Sequence, residues 1–294
     1  MSEARAFRTI AVILLVLVLA AGCGRKLDPR IQEGYDLVLA GKIDEAIALA
    51  NTLVTEDPHN APGYNLLGLA LYKSGNPEGS IEQYRRALEI DENYAEAHFN
   101  LGNSLRMLDR VQEAEVEFAA AVQAEKDFVL ARYNLGKIYE STGRVDQALA
   151  QYRRCADLDD QFVFAFLDLG RLLDAAGDYE GALANYERAV ELAPRRKEIR
   201  VALGNAYWKA GGEGSLERAA EQYQAAVGID PQYVDGLYSM GVLLAAEERT
   251  EEALPWFEKA LAAAGDDSNS GLAQKIREYF REIGHEMPAD SSTG

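Results

Sequence analysis

The residues of this 294-residue chain with the capacity for chemistry are two cysteines, three histidines and 48 carboxylates, and their spacing argues against a catalytic centre. His59, His98 and His285 fall in different segments, so no pair stands one helical turn apart as a zinc-binding helix requires. Ser239 precedes Gly241 but lacks the matching glycine before it, and there is neither a phosphate-binding loop ending in Lys and Ser or Thr nor a dinucleotide fingerprint. The carboxylates follow the exposed positions of amphipathic helices. No enzyme activity, cofactor or metal is expected. The net charge of −18, from 48 acidic and 30 basic side chains with no Lys or Arg block, also disfavours nucleic acid. A solvated acidic surface that keeps a monomer soluble explains that charge.

The elements that position these residues repeat. Gly34, Gly68, Gly102, Gly136, Gly170, Gly204 and Gly241 share one register, spaced by 34 residues five times and then by 37. A unit of ~34 residues cannot bury its own apolar face, so copies must stack into one continuous core. Each period carries two stripes at helical spacing, for example Leu101, Gly102, Leu105 and then Ala114, Phe118, Ala121. The second stripe recurs as Ala148, Tyr152, Cys155; Ala182, Tyr186, Ala189; Ala219, Tyr223, Ala226; and Ala253, Phe257, Ala260. Cys155 thus takes an alanine slot as a small buried residue.

This small-large-small pattern predicts two antiparallel helices per copy. Glycine on the first and alanine on the second let the backbones approach, while the ring fills the space between one hairpin and the next. A bulky residue at Gly136 or Gly170 is expected to overpack that contact. Gly41, Gly75, Gly143, Gly177 and Gly211 end first helices, and Pro58, Pro194 and Pro231 stop second helices. Asp28 and Pro29 read as cap and first position of the opening helix. Slack in a surface turn, around Gly211 to Gly214, accounts for the single longer interval. Leu272, Ile276, Phe280 and Ile283 predict a capping helix over 272–284, followed by a disordered tail at 285–294.

On these residues the chain resembles the tetratricopeptide repeat family, whose Leu-Gly, Tyr or Leu, Gly, Ala, aromatic, Ala and Pro pattern it follows from about Leu27 to Gly265. The resemblance implies an all-α, right-handed solenoid of seven helix-turn-helix units, at about 27–60, 61–94, 95–128, 129–162, 163–196, 197–233 and 234–265, plus the capping helix. Departures are local. Ser80 replaces an alanine, Asp109 and Glu248 replace the turn glycine, and Glu92, Lys126 and Asp160 replace the terminal proline.

In that family the first helix of each pair lines the concave side. The register then places in the groove Phe99, Asn100, Asn103 and Arg106; Tyr133, Asn134 and Lys137; Asp168 and Arg171, with Leu167; Asn205 and Trp208; and Tyr238. Rings with amides suit an extended peptide or a helix, since rings supply buried area and Asn offers both donor and acceptor. Some of these rings could instead pack against the neighbouring first helix. Some members grip a terminal carboxylate with a first-helix lysine. That position here holds Ile31, Asn65, Phe99, Tyr133, Leu167, Val201 and Tyr238. The clamp is therefore absent.

The N-terminus reads as an address. Ile10 to Ala21 are apolar or small after Arg5 and Arg8, a run short of the ~20 residues that span a bilayer. A signal peptide over 1–22 fits. Leu19, Ala20, Ala21, Gly22 and Cys23 resemble the lipobox of bacterial lipoproteins, although Ala20 stands where leucine is preferred. The resemblance implies a lipidated Cys23, a tether over 23–28, attachment to a membrane, and, from Gly24, the outer membrane facing the periplasm. An uncleaved segment anchoring an inner-membrane scaffold is the alternative. The function expected is an envelope scaffold binding protein or peptide partners. Narrower alternatives are a pilotin-type lipoprotein assisting secretin assembly and, with a buried pair of perturbed acids in the groove, an enzyme acting on an envelope polymer.

Overall fold

The computed structural model describes residues 28–264 and 271–283. The expectations for the signal segment, Cys23 and the tail from 285 lie outside the described residues, as does most of the tether. Among the described residues there are fifteen α-helices and no strand. They divide into two compact units. Unit 1, up to Arg144, contains α1 (Pro29–Leu39), α2 (Ile43–Glu56), α3 (Ala61–Lys73), α4 (Pro77–Ile90), α5 (Ala95–Met107), α6 (Val111–Ala124) and α7 (Val129–Ser141). Unit 2, from Val145, contains α8 (Val145–Leu158), α9 (Val163–Ala175), α10 (Tyr179–Leu192), α11 (Lys197–Ala210), α12 (Ser215–Ile229), α13 (Val234–Ala246), α14 (Thr250–Ala264) and α15 (Gly271–Glu282).

Local chemistry sets the helix ends. Asp28 Oδ1 accepts the Arg30 amide at 2.9 Å with Pro29 in the first position, and Asn60, Asn76 and Asp178 each cap the amide three residues on. Gly75 leaves α3 at φ 85°, in the left-handed region. Asp109 and Glu248, which stand where other copies have that glycine, adopt the same conformation at φ 58° and 61°. The turn geometry is dictated by the repeat, and the side chains there accept the strain.

The core is a series of rings laid on bare backbone. A methyl group added at Gly102 would come within 2.8 Å of Phe118 Cε1, and one at Gly170 within 2.8 Å of Tyr186 Cδ1. Gly68 meets Tyr84, Gly204 meets Tyr223 and Gly241 meets Phe257 in the same way. Each of these rings therefore lies on the glycine of its own hairpin, a contact additional to the expected one with the next hairpin. It also reaches the next copy, since Tyr84 clusters with Leu101 and Leu105 of α5. The first copy has Ala50 where the others have a ring, and Leu66 from α3 lies against Gly34 instead.

In unit 2 the chain of rings ends on α15, whose Ile276 and Phe280 are fully buried, with Phe280 6.2 Å from Phe257 edge-on. Ala273, Ile276 and Phe280 form the buried face. Ile283 lies past the helix end and is exposed, contrary to its expected place on that face.

Consecutive hairpins are tied by a recurring cation. His98, Arg132 and Arg200 occupy the same repeat position, and each bonds the carbonyl six residues earlier, at Glu92, Lys126 and Pro194 respectively. His98 also meets Glu117 Oε2 of α6 through Nδ1 at 2.6 Å, while Nε2 faces the Glu92 carbonyl at 3.0 Å. Both partners are acceptors, so the ring fills this role only as a doubly protonated imidazolium. Burial pulls its pKa down, but the bonds to Glu117 and the Glu92 carbonyl, with the charges of Glu117 and Asp91, outweigh it, and the net shift is upward. A raised folded pKa contributes stability that is complete below the unfolded value of ~6.5 and lost as pH rises through the folded one. Amides of α5 and α6 should therefore exchange faster at pH 9 than at pH 6 relative to a His98→Arg variant. Equal ratios at the two pH values would refute the charged ring.

Candidate functional site

The first helices put one row of side chains on a common face in each unit. In unit 1 that face is polar and hydrogen-bonded across copies. Asn65, fully buried on α3, donates through Nδ2 to Tyr35 Oη at 2.9 Å and Tyr94 Oη at 3.4 Å, and its Oδ1 accepts from Asn100 Nδ2 at 3.0 Å. Tyr94 Oη donates to Glu96 Oε2 at 3.1 Å. One copy further, Asn134 Nδ2 donates to Asn103 Oδ1 at 3.0 Å. Burial pushes the Tyr35 and Tyr94 hydroxyls well above their ordinary pKa, so both remain protonated. Burial also raises Glu96, opposed by the Tyr94 bond and reinforced by the Glu125 carboxylate; Glu125 is itself raised by burial and by Asp127.

In unit 2 the face is more apolar. Trp208 and Tyr238 are half-buried against the unit's core, with Tyr238 5.9 Å from Phe257. Asn205 Oδ1 accepts from Tyr223 Oη at 2.7 Å. Lys209 reaches back from α11 to Asp174 Oδ2 at 2.6 Å, and Asp174 Oδ1 is buried without a hydrogen-bond partner among the described residues. Tyr186 is pushed up to about 12 by burial, and next by the charge of Asp174.

Most of the residues expected in the groove sit on these faces, but they serve in different ways. Asn100, Asn103, Tyr133, Asn134, Asn205 and Trp208 are half-buried, and Arg106 is exposed. Lys137 is paired with Glu140 at 3.0 Å. Two expectations need correction. Asp168 is 7% exposed and held by Arg171 at 2.8 Å, so Arg171 and not the carboxylate is presented. The Phe99 ring packs 5.0 Å from Phe128 and 5.9 Å from Phe118, making it core more than groove. The Asn pairs bond one another before any ligand arrives.

Tyr35, Tyr94 and Glu96 escaped the sequence reading, and Asn65 entered it only as a missing clamp residue. Asn65 and Asn100 are 35 residues apart and Asn65 and Tyr94 are 29 apart. A strict 34-residue register looks past such pairs, although side chains offset by a residue or several meet across adjacent helices. Among the described residues, no group of three or more His, Cys, Asp or Glu side chains is arranged to hold a metal ion.

Helical hairpins with a glycine-to-ring contact repeated at one register, and a face of first-helix side chains, define a tandem-repeat protein of the kind that presents a surface. The Tetratricopeptide repeat family profile matches residues 99–161, 167–234 and 210–268, and a second profile, TPR repeat, matches 70–109. The chain belongs to the tetratricopeptide repeat family. Among solved structures it is similar to YrrB, described as a TPR protein with an unusual peptide-binding site, at 25% identity over 67% of this chain and 99% of that one, with a TM-score of 0.58. It is also similar to pilF of Pseudomonas aeruginosa, at 19% identity over 71% of this chain and 94% of that one, with a TM-score of 0.63. A third is the C-terminal part of a TPR repeat-containing protein from Cytophaga hutchinsonii, at 14% identity over 83% of this chain and 98% of that one, with a TM-score of 0.67. The last two likenesses concern the fold. No curated protein matches the chain.

Proposed function

We propose that this protein is a lipid-anchored protein-interaction scaffold of the bacterial cell envelope, which binds a peptide or helix on its first-helix faces and performs no chemistry of its own. The observation that carries the binding role is the pairing of half-buried rings with amides on one face of each unit, Tyr133 with Asn134 in unit 1 and Trp208 with Asn205 in unit 2. Rings give buried area, and the amide atoms not used between neighbouring Asn side chains give main-chain hydrogen bonds. The peptide-binding site named for YrrB supports the same use of a tetratricopeptide surface. Raised acids are present at Glu96 and Glu125, but Glu96 is tied into a Tyr and Asn network, a setting for recognition more than for proton transfer.

The anchor rests on the lipobox-like run ending at Cys23, and the outer-membrane location on Gly24. A pilotin-type role in secretin assembly is the narrower form of this reading and rests on the same run. Two measurements test the proposal. The mature N-terminal peptide should begin at an acylated Cys23; an unmodified Met1 would refute the anchor. A buried aromatic anchor contributes ~2 kcal/mol or more, so Trp208→Ala should weaken capture of the partner from solubilised envelopes about 30-fold. Unchanged capture would remove Trp208 from the site.

A further inference from the structure

We propose that the first-helix face of unit 1 contains a seat for one cationic group, a lysine ammonium or arginine guanidinium of the bound peptide, with Glu96 as its counter-charge. The proposal rests on the reading that this face binds a peptide, and names what the peptide must carry.

Hydrogen-bond direction supplies the argument. Asn100 spends an amide N–H on Asn65, Asn65 spends its own on the Tyr35 and Tyr94 oxygens, and Tyr94 spends its O–H on Glu96. Donors are consumed stepwise along this chain, which ends on a carboxylate. At that end stand the carboxylate oxygens of Glu96, which only accept, while the Tyr35 O–H and the second Asn100 N–H remain as donors further back along the chain. A carboxylate at the end of the chain selects a group that only donates, and the ammonium and guanidinium are such groups.

Charge points the same way. The other buried or half-buried carboxylates on the first-helix faces each hold a cation: Asp28 with Arg30 at 2.7 Å, Glu140 with Lys137 at 3.0 Å, Asp168 with Arg171 at 2.8 Å and Asp174 with Lys209 at 2.6 Å. Glu96 has no ion-pair partner among the described residues, although it is half-buried where a charge is costly. The α5 N-terminus partly offsets that charge. It leaves the carboxylate open to a ligand, which a lysine or arginine of the chain would not. A terminal carboxylate or phosphate would be repelled, the opposite preference to a lysine clamp.

A displayed library of random dodecapeptides, selected on the full chain, tests the seat. The binders should share one Lys or Arg position, and changing that residue to Gln should weaken binding about tenfold, as for a close charge pair. In Glu96→Gln, which keeps an acceptor for Tyr94, that penalty should vanish while the rest of the binding persists. Glu96→Lys should reverse the preference towards Asp or Glu, and Glu89→Gln, on the exposed side of the second helix α4, should leave it unchanged. Binders with no basic position, or the same penalty in Glu96→Gln, would overturn the seat and leave the peptide-binding face standing. Failure to select any binder would overturn both.

Discussion

Truncating Phe118 to alanine should cost unit 1 about 3 to 5 kcal/mol, the range for an aromatic removed from a packed interior. The ring is fully buried and rests on Gly102, which has no side chain to move into the void. Gly102→Leu should also destabilise, by ~1 to 3 kcal/mol, because the ring cannot retreat past Phe99, 5.9 Å away. Combined, the two changes should cost much less than their sum, since the leucine grows into the space the ring vacates. Urea unfolding of the full chain, with hydrogen exchange to localise the loss to α5 and α6, measures this. Additive losses would show that ring and glycine do not share one site, and the repeat's packing logic would fail.

Asn65→Leu is the second large effect. The substitution keeps the side chain's size but strips partners from Tyr35 Oη, Tyr94 Oη and Asn100 Nδ2 at once. An unpaired buried polar atom costs ~1 to 3 kcal/mol, so a loss of about 3 kcal/mol or more is expected even though leucine is the more apolar residue. Adding Tyr35→Phe should recover part of it by removing one stranded hydroxyl. A loss below about 1 kcal/mol would mean the network is fully solvated and does not order the face. The same variant should impair peptide binding at Glu96, because Tyr94 would no longer be held.

These predictions show what was legible in the residues alone. The glycine register and the Ala-aromatic-Ala stripe located the helix pairs because backbone contact admits only small residues, a demand repeated identically in each copy. Caps and stops were equally plain at Asp28 and Pro194. Asp109 and Glu248 show the register overriding local preference, since they take a left-handed backbone without being glycine. The site was less legible. Phe99 and Tyr133 occupy one repeat position, but Phe99 is drawn into the core by Phe128, a ring that has no counterpart at every copy boundary. Asp168 was counted as a groove charge because its exposure depends on Arg171 folding back over it. The Asn65 network joins residues 29, 30 and 35 apart, so a reading that aligns equivalent positions does not bring them together.

The unused acceptors of Glu96 and the half-buried rings share a consequence. Partners should be recognised from the first-helix side, while the second helices, which carry exposed Val116 and much of the acidic surface, serve solubility. The most direct test places a photoreactive residue singly at Asn103 or Lys137 on first helices of unit 1 and at Val116 or Ala119 on a second helix of the same unit, in the full chain in its native envelope. Adducts to one common partner from the first-helix positions, with none from Val116 and Ala119, are the result expected. Adducts confined to the second-helix positions would contradict the account and move the working surface to the other side of the hairpins.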